Sequence, residues 1–182
     1  MIRLFDIFFS SIGLIFFSPI LILFLVIGWL DTGSPIFLQK RVGLKLRSFM
    51  LVKFRTMKMG TKSIGTHLVD KKNVTYFGFF LRKFKLDELP QLWNVLNGDM
   101  SIVGPRPCLL NQKKLIKERK KNGVFKVKPG ITGLAQINGI TMSSPKLLAY
   151  TDSKMIKKMN MFNYYYYIAK TFLLILRKNK MM

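Results

Sequence analysis

Asp87 and Glu88 stand side by side in LDELPQLWNVLNGDMSIVGPRP (86–107), within a chain that has only eight acidic residues. At the start of a short helix, the helix dipole would favour the ionised form of both carboxylates. An ionised carboxylate can attack phosphorus and form an acyl phosphate. A diphosphate would repel it, and a divalent cation bridging Glu88 and the diphosphate would remove that repulsion. The plainer alternative is an N-cap aspartate followed by a first-turn acid, and on this fragment alone the plainer alternative has the greater weight. Downstream, Arg106 lies between Pro105 and Pro107. The two rings fix the local backbone and reduce the entropy lost when a guanidinium grips a phosphate, and arginine's planar fork is well matched to that ligand. A rigid turn with a surface arginine would look the same. Lys53, Arg55 and Arg82 are further phosphate candidates, each by itself more often a solvated cation than a ligand.

These side chains need elements to position them. Residues 87–97 suit a short helix, with Leu89, Leu92, Trp93 and Leu96 on one side. Pro90 is tolerated in a first turn and Gly98 is a stop. Residues 35–57 suit a β-hairpin with Gly43 in the connection, and alternation puts Lys53 and Arg55 on one face. Residues 58–75 are polar and suit a loop, while 76–85 (YFGFFLRKFK) mix aromatics with cations as an interfacial segment does. A basic, amphipathic helix is expected over 109–122, and short extended pieces in a Gly-punctuated loop over 128–139. The stretch 161–176 (MFNYYYYIAKTFLLIL) is too short for a comfortable span and suits a helix in the membrane interface, tyrosines at headgroup depth.

Residues 7–30 carry no charge and are long enough to cross a hydrocarbon core of about 30 Å. Lys40, Arg41, Lys45 and Arg47 follow closely, which favours a cytoplasmic location for the rest of the chain. Ser18-Pro19 sits at the centre of this segment. Proline kinks a helix, and the Ser18 hydroxyl can satisfy a freed carbonyl. A spanning helix with a tolerated kink and a re-entrant hairpin are equally compatible with these residues. The formal charge of +23 on a chain that is 49% hydrophobic suits a protein at an anionic membrane surface, although a basic nucleic-acid binder would share the charge. One cysteine, Cys108, excludes an internal disulfide; with His67 as the one histidine, a clustered His/Cys zinc site is excluded too. Any metal would be a hard cation held by carboxylates and phosphates.

QKRVG (39–43), KFRTM (53–57), FGFFLRKFKLDELPQLWNVLNGDMSIVGPRP (77–107) and KPGITGLAQING (128–139) together resemble the bacterial sugar transferase family, and in particular its small monotopic phosphoglycosyltransferases. The resemblance covers residues 1–140 or so, in the expected order, and the 86–107 run is long and specific. It implies an α+β membrane-associated fold with a re-entrant anchor over 1–34 and a catalytic domain with interfacial helices over 35–182, at the cytoplasmic face of the bacterial inner membrane. It implies transfer of a phosphosugar from a UDP-sugar to undecaprenyl phosphate with release of UMP, with Mg2+ as cofactor and no nucleic acid as partner. Residue by residue, Asp87 matches the nucleophile, Glu88 the magnesium-associated glutamate, Arg82 an arginine gripping the polyprenyl phosphate, and Arg106 an arginine near the nucleotide. Ser18-Pro19 matches the pair that breaks the membrane helix, which favours the hairpin. Self-association stays open. Departures come late: Gly139 is followed by Ile140 and Thr141 instead of Arg-Asn, Lys128 replaces an arginine, 142–150 has no tryptophan, and Met155 stands three residues after Asp152 where a tyrosine is usual. They motivate one rival, a non-catalytic family member acting as a scaffold.

Overall fold

The structure, a computed structural model, describes residues 2–61 and 71–180, so His67 and most of the expected 58–75 loop lie outside the described residues. The architecture is α+β. The expected hairpin forms from β1 (Ile36–Val42) and β2 (Ser48–Phe54), paired antiparallel with Lys40 opposite Met50. A second, parallel pair joins β3 (Ser101–Val103) to β5 (Gly130–Thr132), and β4 (Cys108–Leu109) lies along the other edge of β1. Seven helices pack around these sheets among the described residues: α1 (Ile2–Thr32), α2 (Tyr76–Lys83), α3 (Gln91–Asn97), α4 (Lys113–Lys121), α5 (Leu134–Ile137), α6 (Pro145–Lys157) and α7 (Met161–Lys180).

The outer edge of β2 is closed by a side chain. Asn94 of α3 accepts from Val52 N–H at 2.9 Å and donates to the Met50 carbonyl at 2.8 Å, imitating the two bonds of a neighbouring strand. An open edge would otherwise leave unpaired backbone groups. This explains why the core side of α3 is polar: Gln91 and Asn94 are buried with Val95, while Leu89, Leu92 and Leu96 are half-buried and Trp93 is 59% exposed. The leucine stripe thus faces α1 and the molecular surface. The dyad also sits elsewhere than expected. Asp87 and Glu88 occupy a separate 3-10 turn, Leu86–Glu88, ahead of α3. Pro90 has no N–H to give to the Leu86 carbonyl, which accepts from Leu89 N–H at 3.2 Å instead, and the turn ends ahead of α3. Lys85 starts the turn in the left-handed region (φ 56) and re-aims the chain after α2.

Helix α1 is one continuous element that runs through Pro19, without the break expected at Ser18-Pro19. The Ile15 carbonyl, orphaned because Pro19 cannot donate, accepts from the Ser18 hydroxyl at 2.7 Å. At 31 residues the helix is about 46 Å long, yet it touches the rest of the protein near both ends. Arg3 donates to the Val95 and Leu96 carbonyls at the end of α3. Buried Asp6 accepts from the Ser101 hydroxyl, Ile102 N–H and the Tyr164 hydroxyl at 3.0, 3.0 and 2.8 Å. Near the other end, Phe24 packs edge-on against Phe54, Phe77 and Phe80. The remaining faces of α1 expose Phe8, Ile15, Phe16, Leu23 and Leu30.

The exposed apolar surface continues onto α2 (Phe79, with Tyr76 at 98% exposure) and α7 (Phe162, Phe172, Leu173). Only part of the tyrosine run is available to an interface. Tyr164 and Tyr167 turn into the core with Val103 and Met155, and Tyr165 and Tyr166 are the exposed pair. Helix α6 has no counterpart in the sequence reading, and it delivers Leu148 and Asp152 to the interior.

Candidate active site

The 3-10 turn, β2, α2 and the Pro-Arg-Pro segment converge on a cavity of about 560 Å3. Its lining includes Asp87 and Glu88 with Arg41, Lys53, Arg82, Lys85 and Arg106, and the apolar Leu109, Ala135, Ile140, Met142 and Leu148. Five cations against two carboxylates leave an excess of three positive charges, as a site for a polyanion requires.

Arg106 Nη2 meets Glu88 Oε1 at 2.5 Å, with the arginine side chain 45% exposed to the cavity and the glutamate well covered. Burial alone would raise the Glu88 carboxyl; the charge and hydrogen bond of Arg106, helped by Lys85 and Lys53, outweigh it and hold the group below its usual range. Asp87 behaves oppositely. Burial and the charge of Glu88 push it up to about 6, against the pull of Lys53, Arg82 and Arg106. At neutral pH Asp87 is therefore still mostly ionised but only lightly stabilised, a state suited to a nucleophile. Burial and the neighbouring Arg41 push Lys53 down to about 8. Arg82 is fixed by its Nε donating to Thr56 Oγ1 at 2.8 Å.

Gly104 and Gly130 let the Pro-Arg-Pro segment lie against β5: a Cβ on Gly104 would come within 2.7 Å of Gly130 N. A sequence model described as "Bacterial sugar transferase" matches residues 1–178. This chain belongs to the bacterial sugar transferase family. Among its relatives is the uncharacterized sugar transferase EpsL of Bacillus subtilis (strain 168), 47% identical over 139 residues, which cover 75% of this chain and 68% of EpsL. The undecaprenyl-phosphate galactose phosphotransferase of Salmonella typhimurium is 34% identical over 97% of this chain and 40% of its own length. The UDP-glucose:undecaprenyl-phosphate glucose-1-phosphate transferase of Xanthomonas campestris pv. campestris is 45% identical over 63% of this chain and 25% of its own length. This sugar transferase thus spans less than half the length of the latter two relatives.

Of the residues singled out from sequence, the fold brings Asp87, Glu88, Lys53, Arg82 and Arg106 together on the cavity and leaves Arg55 out. Lys53 and Arg55 do share a face, both over the Phe37 ring at 5.2 and 5.3 Å. The Arg55 guanidinium, however, donates to the Ser34 and Ile36 carbonyls at 2.7 and 3.2 Å and ties the entry of β1 to the end of β2. Ser18 and Pro19 belong to α1 and lie off the cavity.

Arg41 and Lys85 line the site without having been singled out, and Ile140 and Thr141, the late departures from the family pattern, form part of its wall. QKRVG (39–43) was the available signal for Arg41; nothing in the sequence marks Lys85 beyond its nearness to the dyad. Asp152 lies in the core, paired with Arg119. No group of three or more His, Cys, Asp or Glu that could hold a metal ion occurs among the described residues. Asp87 and Glu88 are the acids on the cavity. Hard oxygen donors from one or two carboxylates, completed by substrate phosphates and water, are what magnesium takes, so this donor set fits that ion, and Glu88 would divide its carboxylate between the ion and Arg106.

Proposed function

We propose that the protein transfers a sugar 1-phosphate from a UDP-sugar to undecaprenyl phosphate at the cytoplasmic face of the bacterial inner membrane. The observation that carries this reading is an adjacent carboxylate pair facing five cations in a cavity of a protein whose α1, α2 and α7 expose large apolar side chains. The named activities of the Salmonella and Xanthomonas relatives support the acceptor and the type of transfer. In the first step an Asp87 oxygen attacks the β-phosphorus of the donor. The bond from that phosphorus to the bridging oxygen breaks, and UMP leaves with the electron pair. In the second step an oxygen of undecaprenyl phosphate attacks the same phosphorus. Asp87 is released as carboxylate and undecaprenyl diphosphosugar is formed. Lys53, Arg106 and Arg41 suit the donor diphosphate, and Arg82 suits the lipid phosphate. Magnesium, held by Glu88 and Asp87, would supply charge neutralisation of the diphosphate.

The docking of α1 supports a re-entrant placement. A helix crossing the bilayer would carry its first and last turns to opposite surfaces about 40–45 Å apart. Here Arg3 and Asp6 at one end and Phe24 at the other engage the same body. With both ends on one side, the exposed flanks of α1, α2 and α7 would hold the dyad at headgroup depth, where the lipid's phosphate stays.

The deciding experiment incubates the protein with a panel of UDP-sugars and looks for UMP release and, with donor alone, a phosphosugar adduct on Asp87 by mass spectrometry. An adduct on a different side chain, or none under conditions that support turnover, removes the covalent scheme. EDTA is expected to stop turnover and added Mg2+ to restore it; full activity without a divalent ion removes the metal. Leu4→Cys should resist a membrane-impermeant thiol reagent added from the periplasm, and ready labelling would rule out the re-entrant placement.

A further inference from the structure

Pro105, Arg106 and Pro107 present three carbonyls in succession, and each is taken by a donor from a different element. Gly130 N–H in β5 donates to Pro105 at 2.9 Å, Arg119 Nη1 in α4 to Arg106 at 2.7 Å, and Arg41 Nη1 in β1 to Pro107 at 3.0 Å. The arrangement answers a specific difficulty. Two of the three residues lack an N–H, so the segment cannot be held through donors as a strand is, and its carbonyls must do the anchoring.

Arg119 is 1% exposed and lies behind the cavity wall rather than on it. Its Nε and Nη2 donate to Oδ2 of the fully buried Asp152 in α6 at 3.0 and 2.7 Å. A buried ion pair is commonly no better for stability than an apolar filling of the same shape, so its presence here asks for another role. Its third donor goes to the backbone of the very residue whose side chain reaches Glu88.

We propose that Arg119, oriented by Asp152, is a positioning residue for Arg106: it fixes the main chain at 106 so that the guanidinium stays against Glu88 and faces the cavity. The proposal rests on the transfer reading above. Lysine cannot take the place of Arg119. It keeps a positive charge opposite Asp152 but has one nitrogen, where the fork serves a carboxylate and a carbonyl at once. A phosphate-gripping group displaced by about 1 Å loses on the order of a hundredfold in rate.

The test uses the full chain in phosphatidylethanolamine/phosphatidylglycerol nanodiscs, with UMP release from UDP-sugars and undecaprenyl phosphate as the assay. Arg119→Lys should lower donor kcat/KM by about 10- to 100-fold, with a thermal midpoint close to that of the parent. In an Arg106→Ala background the same substitution should change kcat/KM by less than about twofold, because residues acting through one another are not additive. An equal loss in both backgrounds, or an unaffected Arg119→Lys enzyme, overturns the proposal. The paired change Arg119→Met with Asp152→Leu removes both ions together and should lose activity while staying folded; full activity in that variant also overturns it. A second readout does not need turnover. Inorganic pyrophosphate should raise the thermal midpoint of the parent, and both Arg106→Ala and Arg119→Lys should abolish that rise. If the parent is stabilised in this way but releases no UMP from any donor, the transfer reading falls and the positioning role stands. If Arg119→Lys is stabilised like the parent, the positioning role falls.

Discussion

Two arginine–carboxylate pairs meet at residue 106, one in front of its backbone and one behind. In front, Arg106 and Glu88 face the cavity, the arginine side chain 45% exposed. Behind, Arg119 and Asp152 are sealed in the core with side-chain exposures of 2% and 1%. The chemistry is the same and the physical role is opposite. The front pair sits where solvent and ligand can compete for it, so it can be remade when an anion arrives, and it contributes little to folding. The rear pair has lost its water, so neither partner can be removed without leaving a bare charge inside. An ion pair is a functional contact or a structural strut according to what surrounds it.

Substitution separates the two pairs. Changes on the cavity side should act on activity alone. Asp87→Asn is expected to lose at least about a thousandfold in UMP release while its unfolding midpoint stays within a few degrees of the parent, and UMP release at the normal rate would refute Asp87 as nucleophile. Behind the wall a loss of stability joins the loss of activity once a charge is left unpaired. Asp152→Asn leaves Arg119 charged and poorly matched in the core and is expected to cost about 3–5 kcal/mol, read by denaturant unfolding in nanodiscs, whereas Glu88→Gln should cost less than about 1 kcal/mol. Similar losses for the two would dissolve the distinction.

Lys53 gives a pH signature for the cavity. Its ammonium is pushed down to about 8, so the charge is present below that pH and lost above it. Donor kcat/KM should therefore fall by up to about tenfold between pH 7 and 9, and Lys53→Arg should flatten the profile. A drop that survives Lys53→Arg must come from another group. The smallest effect on activity belongs to Arg55. Arg55→Ala should destabilise by about 1–2 kcal/mol and leave donor KM within about twofold; a tenfold rise would return Arg55 to the substrate.

The front of the site was legible in sequence because its residues lie in short, distinctive runs: the dyad, KFRTM and the Pro-Arg-Pro segment. The strand pair was legible from alternation. Arg119 and Asn94 were not. Arg119 stands in KKLIKERKK, which reads as a solvated basic helix; only its i,i+4 relation to buried Leu115 marks the inward face, and the partner that makes burial tolerable is 33 residues away. The polar core side of α3 was equally hidden, since Asn94 is buried to complete β2, and a pattern of leucines says nothing about an unpaired strand edge 42 residues earlier. Arg55 shows the reverse failure. Sharing a face with Lys53 is a local property, but reaching the cavity depends on where the β1 entry passes, and that lies outside the motif.

The hub at Asp6 has a consequence for how the protein is made. Its carboxylate is completed by Tyr164, 158 residues further along the chain. At ribosomal speeds of about 5–20 residues per second, that partner is translated on the order of ten seconds after the first helix. The anchoring helix must therefore wait in or at the lipid with its acid short of a partner, and its final seat is closed only once α7 has been made.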